Sequence, residues 1–389
     1  MIHIGVFFGG KSVEHEVSVI TAQQAIAVMR EMKGYHVVPI YIAKTGDWYT
    51  GDNLMEIERF KDIPRLLAHA RRVYLGGGEQ RHTAQLFDAD KRRNRITPDA
   101  ARIDIAFPIV HGTGGEDGTL QGLFELLEIP YIGCNPLAAA LSMDKVSTKA
   151  MLEGIRQTTM CWLYAHEILT GLAPFLDRCE QSLVYPMIVK PSDLGSSVGV
   201  KTAHNRAELE DAIRFAAEFS TKIIVENKLT DLYEINISVL GDREHMELSV
   251  CERPKSASEF LTYEDKYMGS DSAKGMASLK REIPADIPDA LRREIETAAR
   301  EAFRRLDCAG VCRIDFLVDR TTETPYLCEL NTIPGSLAFY LWEATGKPFR
   351  ALIADLIEIA YRGQRRKQAL IRSNSTNLLA RDNLKGIKK

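Results

Sequence analysis

Apolar and polar positions alternate with two different periods from the first residue onward. Ile2 to Phe8 is an apolar run of strand length. Helical spacing follows from Val19 to Glu31, within a helix near 19–32, and His36 to Ile42 returns to strand character. A polar, irregular stretch then runs from about 44 to 100 and holds Gly76-Gly77-Gly78 and the charged run Asp90 to Arg95. After it, Ile103 to Val110 is a strand that ends at a glycine-rich loop. This alternation predicts an α/β fold opening with a parallel domain, whose ligand loops lie at the carboxyl ends of strands. A second α/β unit begins near 135 and a third near 186. A long helix over 286–306 leads to two more strand patterns, Cys312 to Val318 and Leu327 onward, joined by polar residues Asp319 to Thr324.

In that last pair the alternation itself places chemistry. Strand side chains alternate faces, so Arg313 and Asp315 share one face and Glu329 and Asn331 share another. If the strands pair as a hairpin with these faces together, one cation and three hard oxygen side chains converge. Two carboxylates and an amide suit Mg²⁺, which takes few protein ligands and fills its shell with water and phosphate oxygens. Taken alone, the hairpin also reads as a cross-strand ion pair.

Composition adds limits. The chain has 389 residues, 45% hydrophobic and 26% charged, which suits a soluble protein of two or three domains. A net charge of −3 gives no global reason to expect nucleic acid or a membrane. Residues 362–389 carry nine Arg and Lys against the one acid Asp382. This basic tail has almost no aromatic residue to stack on a base and reads as a solvated, partly ordered terminus. The seven cysteines include no C-x-x-C pair. Cys308 and Cys312 are four apart with no nearby histidine, so the spacing does not predict a zinc site. Reduced thiols and the lack of an export signal predict a cytoplasmic protein.

Several loops carry candidate chemistry. Residues 5–12 satisfy the Walker A pattern, but Val6, Phe7 and Phe8 extend a buried strand and leave too little loop to wrap a phosphate. Ser12 and Glu14 instead sit near a helix N-terminus, where they either face a ligand or cap the helix. His111 to Gly122 places five glycines between a strand and a helix starting about Leu123, a loop that lets backbone approach a ligand. Lys145 follows Met143-Asp144, and Lys190 ends a strand where its charge can neutralise phosphate. Leu194 to Val200 is a small-residue, hairpin-like loop able to cover a triphosphate. Ile223 to Leu229 reads as a strand whose edge could meet an adenine, and Glu234 could take ribose hydroxyls; singly, Glu226 and Glu234 also read as surface acids. Tyr263 to Tyr267 precedes the loose stretch 269–275 and suggests a lid.

Together these segments closely resemble the D-alanine–D-alanine ligases of the ATP-grasp superfamily. The matching pieces are G-G-K-S-V-E-H-E-V-S (9–18), F-P-I-V-H-G-T-G-G-E-D-G-T-L-Q-G (107–122), M-D-K-V (143–146), V-K-P-S-D-L-G-S-S-V-G-V (189–200), Y-E-D-K-Y (263–267), R-I-D-F (313–316) and E-L-N-T-I-P-G (329–335). The resemblance implies an N-terminal substrate-binding α/β domain (1–134, with the 44–100 insertion) and two ATP-grasp subdomains, α+β in character (135–228 and 229–361), before the tail. It implies ATP, Mg²⁺ or Mn²⁺ as two ions, D-alanine as substrate, and a homodimer. ATP would phosphorylate one D-alanine, and the amine of a second would attack the acyl phosphate. By the same resemblance Glu14, with Ser196 and Tyr267, would hold the first substrate's ammonium, and His111 would lie beside that substrate. Lys145, Lys190, Ser197 and the lid's Lys266 would meet phosphates. Phe260, Glu226, Leu229 and Glu234 would meet adenine and ribose. Asp315, Glu329 and Asn331 would be metal ligands, and Arg313 with the Gly335 N–H would stabilise an oxyanion.

One segment departs from the family pattern. After N-T-I-P-G the family commonly continues F-T-x-x-S-x-x-P, whereas this chain reads Ser336 to Glu343 and is roughly four residues shorter. Ser336 is therefore a candidate for the second substrate's carboxylate, and Phe339 and Tyr340 are expected to fill the vacated space. Tyr267 favours an amine acceptor. The alternatives are a ligase using another acceptor, such as D-serine or D-lactate, and a nucleotide-binding protein without catalysis, against which the four hairpin residues count.

Overall fold

The computed structural model describes residues 1–90, 102–254 and 281–372. Phe260, Lys266, Tyr267 and the expected lid lie outside them, as do 91–101 and the last part of the tail.

The first sheet has seven strands: β1 (Ile2–Gly9), β2 (Tyr35–Ile42), β3 (Trp48–Thr50), β4 (Arg71–Gly77), β5 (Ala84–Asp88), β6 (Arg102–Ile103) and β7 (Ile105–Ile109). Their order is β6-β5-β4-β3-β2-β1-β7. Only β2, β1 and β7 run parallel; the others pair antiparallel. The stretch from 44 to 100 is thus not the irregular insertion its polarity suggests, since it builds β3, β4, β5 and a short helix (Ile63–Ala68). An antiparallel strand need bury only one face, so these strands carry too few apolar positions to stand out. The helix His15–Arg30 starts one turn earlier than the apolar repeat indicates. His15, polar but buried, bonds the Gly10 carbonyl at 2.6 Å and the Tyr41 hydroxyl at 3.0 Å, so it faces the core despite its chemistry.

Two smaller antiparallel sheets follow. One orders β10-β9-β11-β8, from β8 (Met160–Tyr164), β9 (Met187–Pro191), β10 (Lys201–Ala203) and β11 (Lys222–Asn227). The other orders β13-β12-β16-β17, from β12 (Leu232–Gly241), β13 (Met246–Leu248), β16 (Gly310–Asp319) and β17 (Thr324–Asn331). A two-stranded ribbon, β14 (Arg253–Pro254) and β15 (Arg281–Glu282), lies beside them. The amphipathic helix Asp289–Arg305 covers the third sheet with Leu291, Ile295, Ala299 and Phe303.

The final helix, Phe349–Gln368, packs Phe349, Leu352, Ile353 and Leu356 into the core it shares with His15–Arg30 and β1. Its end is the ordered part of the basic segment 362–389. Arg362 pairs with Asp242 at 2.8 Å, Arg366 with Asp242 at 3.2 Å, and Lys367 with Glu125. The basic residues up to 367 are helical and tie the first and third sheets together. Among the described residues no helix is long and apolar enough to cross a membrane.

Candidate active site

The second and third sheets face each other across a cleft of about 340 Å³. On one wall, β16 and β17 pair so that Arg313 stands opposite Asn331 and Asp315 opposite Glu329, the register the alternation predicts. The Arg313 guanidinium grips Asp315 with two bonds of 2.7 Å, and Asn331 Nδ2 donates to Asp315 at 3.0 Å. Burial works against the charge on Arg313, but Asp315 holds its pKa well above the ordinary value. Just beyond the Asp315–Glu329 pair, Cys328 is an extra residue in a β-bulge and turns into the cleft next to Glu329.

A metal ion is compatible with this wall. A carboxylate offers about four lone-pair positions, so a bidentate grip by Arg313 still allows coordination. Asn331 gives its N–H₂ to Asp315, which leaves Oδ1 as the atom it can offer an ion. The donors are hard oxygens, the set Mg²⁺ and Mn²⁺ prefer.

Across the cleft lie Lys145, Lys190 and the loop from Leu194 to Ser197. The loop joins two antiparallel strands, β9 and β10, and Ser196 and Ser197 take left-handed φ of 54° and 58°. Lys145 opens a short helix, donates to the Leu194 carbonyl at 2.6 Å and lies 3.9 Å from Glu329. Lys190 pairs with Glu226 at 2.8 Å, and Lys149 reaches the other carboxylate oxygen at 2.6 Å. Glu226 is therefore not a surface acid but the buried centre of a Lys149–Glu226–Lys190 triad. Burial opposes its charge, yet the two ammonium groups hold its carboxyl down at about 2. Leu229 and Glu226 line a recess continuous with the cleft through Ile188, Lys190, Leu317 and Cys328. Glu234, on β12, also lines the cleft.

The first sheet supplies the cleft's end. Glu14 precedes the helix His15–Arg30 without capping it through its side chain; Ser196 Oγ donates to its carboxylate across 182 residues of sequence. Gly112 fits against this carboxylate because it has no side chain: a Cβ there would lie 2.8 Å from Glu14 Oε2 and 2.5 Å from Ser12 Oγ, at φ +70°. Lys11 of the Walker-like segment is exposed, and β1 runs to Gly9. His111 is buried, 3.0 Å from Thr21 Oγ1, and Thr21 also accepts the Ser336 N–H at 3.0 Å. Burial pulls the His111 imidazole down to about 4, against a hydrogen bond to the Ile333 backbone, so it is neutral near pH 7.

Beyond Gly335, residues Ser336, Leu337 and Ala338 all adopt left-handed φ near 50°, a strained run for residues with a Cβ. Tyr340 donates its hydroxyl to Glu252 at 3.0 Å, with the Arg281 guanidinium 4.1 Å above its ring. Phe339 stacks on Phe349 with centroids 4.6 Å apart.

Sequence reasoning passed over three side chains here. Glu116 accepts the Gly112 N–H at 2.8 Å and the Ile333 N–H at 3.1 Å, lacing the glycine loop to the segment after β17. Burial, then Glu14, pushes its carboxyl up to about 8. An acid inside a glycine run was the available signal. Lys149, one turn after Lys145, was a second. Thr21, which joins His111 to Ser336, left no signal.

Two facing antiparallel sheets, with two lysines and a small-residue loop opposite an acidic hairpin, define an ATP-grasp ligase. The chain matches the D-ala D-ala ligase N-terminus over residues 3–134 and the D-ala D-ala ligase C-terminus over 151–358. It is 38% identical to the D-alanine–D-alanine ligase of Thermosipho melanesiensis over 97% of this chain and 98% of that protein. Among solved structures, the D-alanine–D-alanine ligase of Coxiella burnetii superposes with a TM-score of 0.74 at 27% identity, covering 94% of this chain and 96% of that one. The VanG D-Ala:D-Ser ligase of Enterococcus faecalis gives 0.75 at 28%, covering 92% and 99%. The chain belongs to the D-alanine–D-alanine ligase family, and as such is an ATP-dependent ligase that uses a divalent metal.

Proposed function

We propose that this protein joins two D-alanines through a D-alanyl phosphate, making the dipeptide for peptidoglycan precursors. The observation that carries this reading is the Ser196–Glu14 hydrogen bond. It sets a carboxylate suited to a substrate ammonium at the end of the same cleft that Lys145, Lys190 and the acidic hairpin face. Glu14, beside Ser196 and Gly112, orients the first D-alanine so that its carboxylate points at the γ-phosphate. Lys145, Lys190 and Ser197 hold phosphates, while Glu226 and Leu229 offer backbone to adenine and Glu234 takes ribose hydroxyls. Asp315, Glu329 and Asn331 would hold Mg²⁺ or Mn²⁺, as two ions, which would neutralise phosphate oxygens. Arg313, fixed by Asp315, and the Gly335 N–H stabilise the oxyanion that forms when the second amine attacks. Neutral His111 positions the first substrate without adding charge. Such chemistry rests on positioning and charge neutralisation, with no protein nucleophile. A cytoplasmic homodimer, which sedimentation would test, completes the proposal.

The left-handed run at Ser336–Ala338 favours one second reading, a ligase whose acceptor is D-serine or another group. One experiment separates the two. The enzyme is given ATP, Mg²⁺ and D-alanine with equimolar D-serine and D-lactate, and the products are weighed by mass spectrometry. D-alanyl-D-alanine is expected; a dominant D-alanyl-D-serine or depsipeptide establishes the second reading, and no phosphate release refutes both.

A further inference from the structure

Cys308 and Cys312, unpromising by spacing, meet a third cysteine that sequence gave no reason to join to them. Cys134 follows Ile132 and Gly133 out of the first sheet, Cys308 follows the helix Asp289–Arg305, and Cys312 lies on β16. Their sulfurs all lie within 4.8 Å of one another, and the residues are 2%, 1% and 0% exposed. The chains come this close because two glycines face each other: Gly310 takes φ +82°, and a Cβ on it would lie 2.9 Å from Gly133 Cα.

The spacing is that of a metal site. Tetrahedral thiolates at a Zn–S distance of about 2.3 Å stand about 3.8 Å apart along each edge, and Cys134 Sγ is 3.8 Å from Cys312 Sγ. Two oxygens lie at the margin of the cluster. Ser142 Oγ is 3.9 Å from Cys308 Sγ, and the Ala309 carbonyl is 3.4 Å from Cys134 Sγ. Cys308 and Ala309 also line a surface cavity with Asn135 and Asp307, which gives an ion a way in.

We propose that Cys134, Cys308 and Cys312 form a binding site for one soft d¹⁰ cation of the zinc or copper(I) class. Each thiol loses its proton to solvent as its sulfur bonds the ion. An all-sulfur set selects against Mg²⁺, so this site and the oxygen-lined hairpin take different metals. A bound ion would fasten the strand of Arg313 and Asp315 to the chain leaving the first sheet, and so fix the hairpin relative to Glu14.

The test uses the full chain, reduced, stripped with a chelator and titrated anaerobically with Cd²⁺ as probe. One equivalent should bind, with a thiolate-to-cadmium charge-transfer band. Cys134→Ser, Cys308→Ser and Cys312→Ser should each weaken binding roughly a hundredfold or more, beyond what is usual for losing an outer-shell partner. Cys251→Ser removes another buried cysteine from the same core and should leave binding unchanged. X-ray absorption on zinc-loaded wild type needs no variant and should count three sulfurs at about 2.3 Å. No stoichiometric band, fewer than three sulfur neighbours, or unaltered binding by Cys134→Ser overturns the assignment.

Discussion

Glu226→Gln tests the buried triad with a single near-isosteric change. The carboxylate sits 2.6 Å from Lys149 and 2.8 Å from Lys190, and the three side chains are only 4%, 7% and 15% exposed. Holding the carboxyl at about 2 rather than 4.5 corresponds to roughly 3 kcal/mol at about 1.36 kcal/mol per pKa unit. Glutamine keeps the shape and can still accept the bond Thr158 Oγ1 makes at 2.6 Å, but it leaves two buried ammonium groups without a counter-charge. Removing one partner of a buried ion pair costs about 3–5 kcal/mol, so both routes give the same size of effect. Because the folded pKa is depressed, the stabilisation is complete above about 4.5 and is lost as pH falls toward about 2. Denaturant unfolding at pH 7 should show the variant less stable by about 3 kcal/mol, and the gap to wild type should close between pH 4.5 and 2. A loss under about 1 kcal/mol at pH 7, the scale of a surface pair, would refute the buried-triad reasoning.

Asp315→Asn or Glu329→Gln should cut turnover at saturating ATP by roughly a hundredfold or more while circular dichroism stays native, since each removes a charge-stabilising group; near-wild-type turnover would remove the hairpin from the mechanism. Lys11→Ala should leave ATP affinity unchanged by calorimetry, whereas Lys190→Ala should weaken it by about tenfold or more through a lost phosphate partner; the reverse order would restore the Walker reading. Gly112→Ala should raise the KM for the first D-alanine far more than that for ATP, because its methyl would displace Glu14 and Ser12; equal KM values would show that the loop yields. In chelator, ATP affinity should fall by about tenfold or more while adenosine affinity holds; parallel loss would mean the metal organises the whole cleft.

Local periodicity made some of the site legible and long-range packing hid the rest. Arg313, Asp315, Glu329 and Asn331 could be placed on one face because a strand's period of two is a property of neighbouring residues. The bulge at Cys328 breaks that period, and nothing in the apolar pattern marks it. The resemblance brought Glu14 and Ser196 together, while composition alone left Glu14 between capping and binding. The strands within 44–100 escaped notice because they are half-solvated; β4 buries the single core residue Val73. Lys149, Glu116 and Cys134 escaped for another reason. Each acquires meaning only from partners 77, 217 and 178 residues away, Glu226, Ile333 and Cys312.

The charges of the cleft explain why such a site should depend on a divalent metal. Three of the cations around it are already set against an acid: Lys145 near Glu329 at 3.9 Å, Lys190 on Glu226 at 2.8 Å, Arg313 on Asp315 at 2.7 Å. Glu14 and Glu234 add further negative groups around the same space. A triphosphate entering it meets cations whose fields are largely spent, in surroundings where water screens poorly. Additional positive charge must therefore arrive with the nucleotide, and hard oxygens on Asp315, Glu329 and Asn331 are placed to receive it as a divalent ion. The ion pairs across the cleft thus leave its lysines too little unspent charge to balance a triphosphate, which is why chelation should weaken ATP binding.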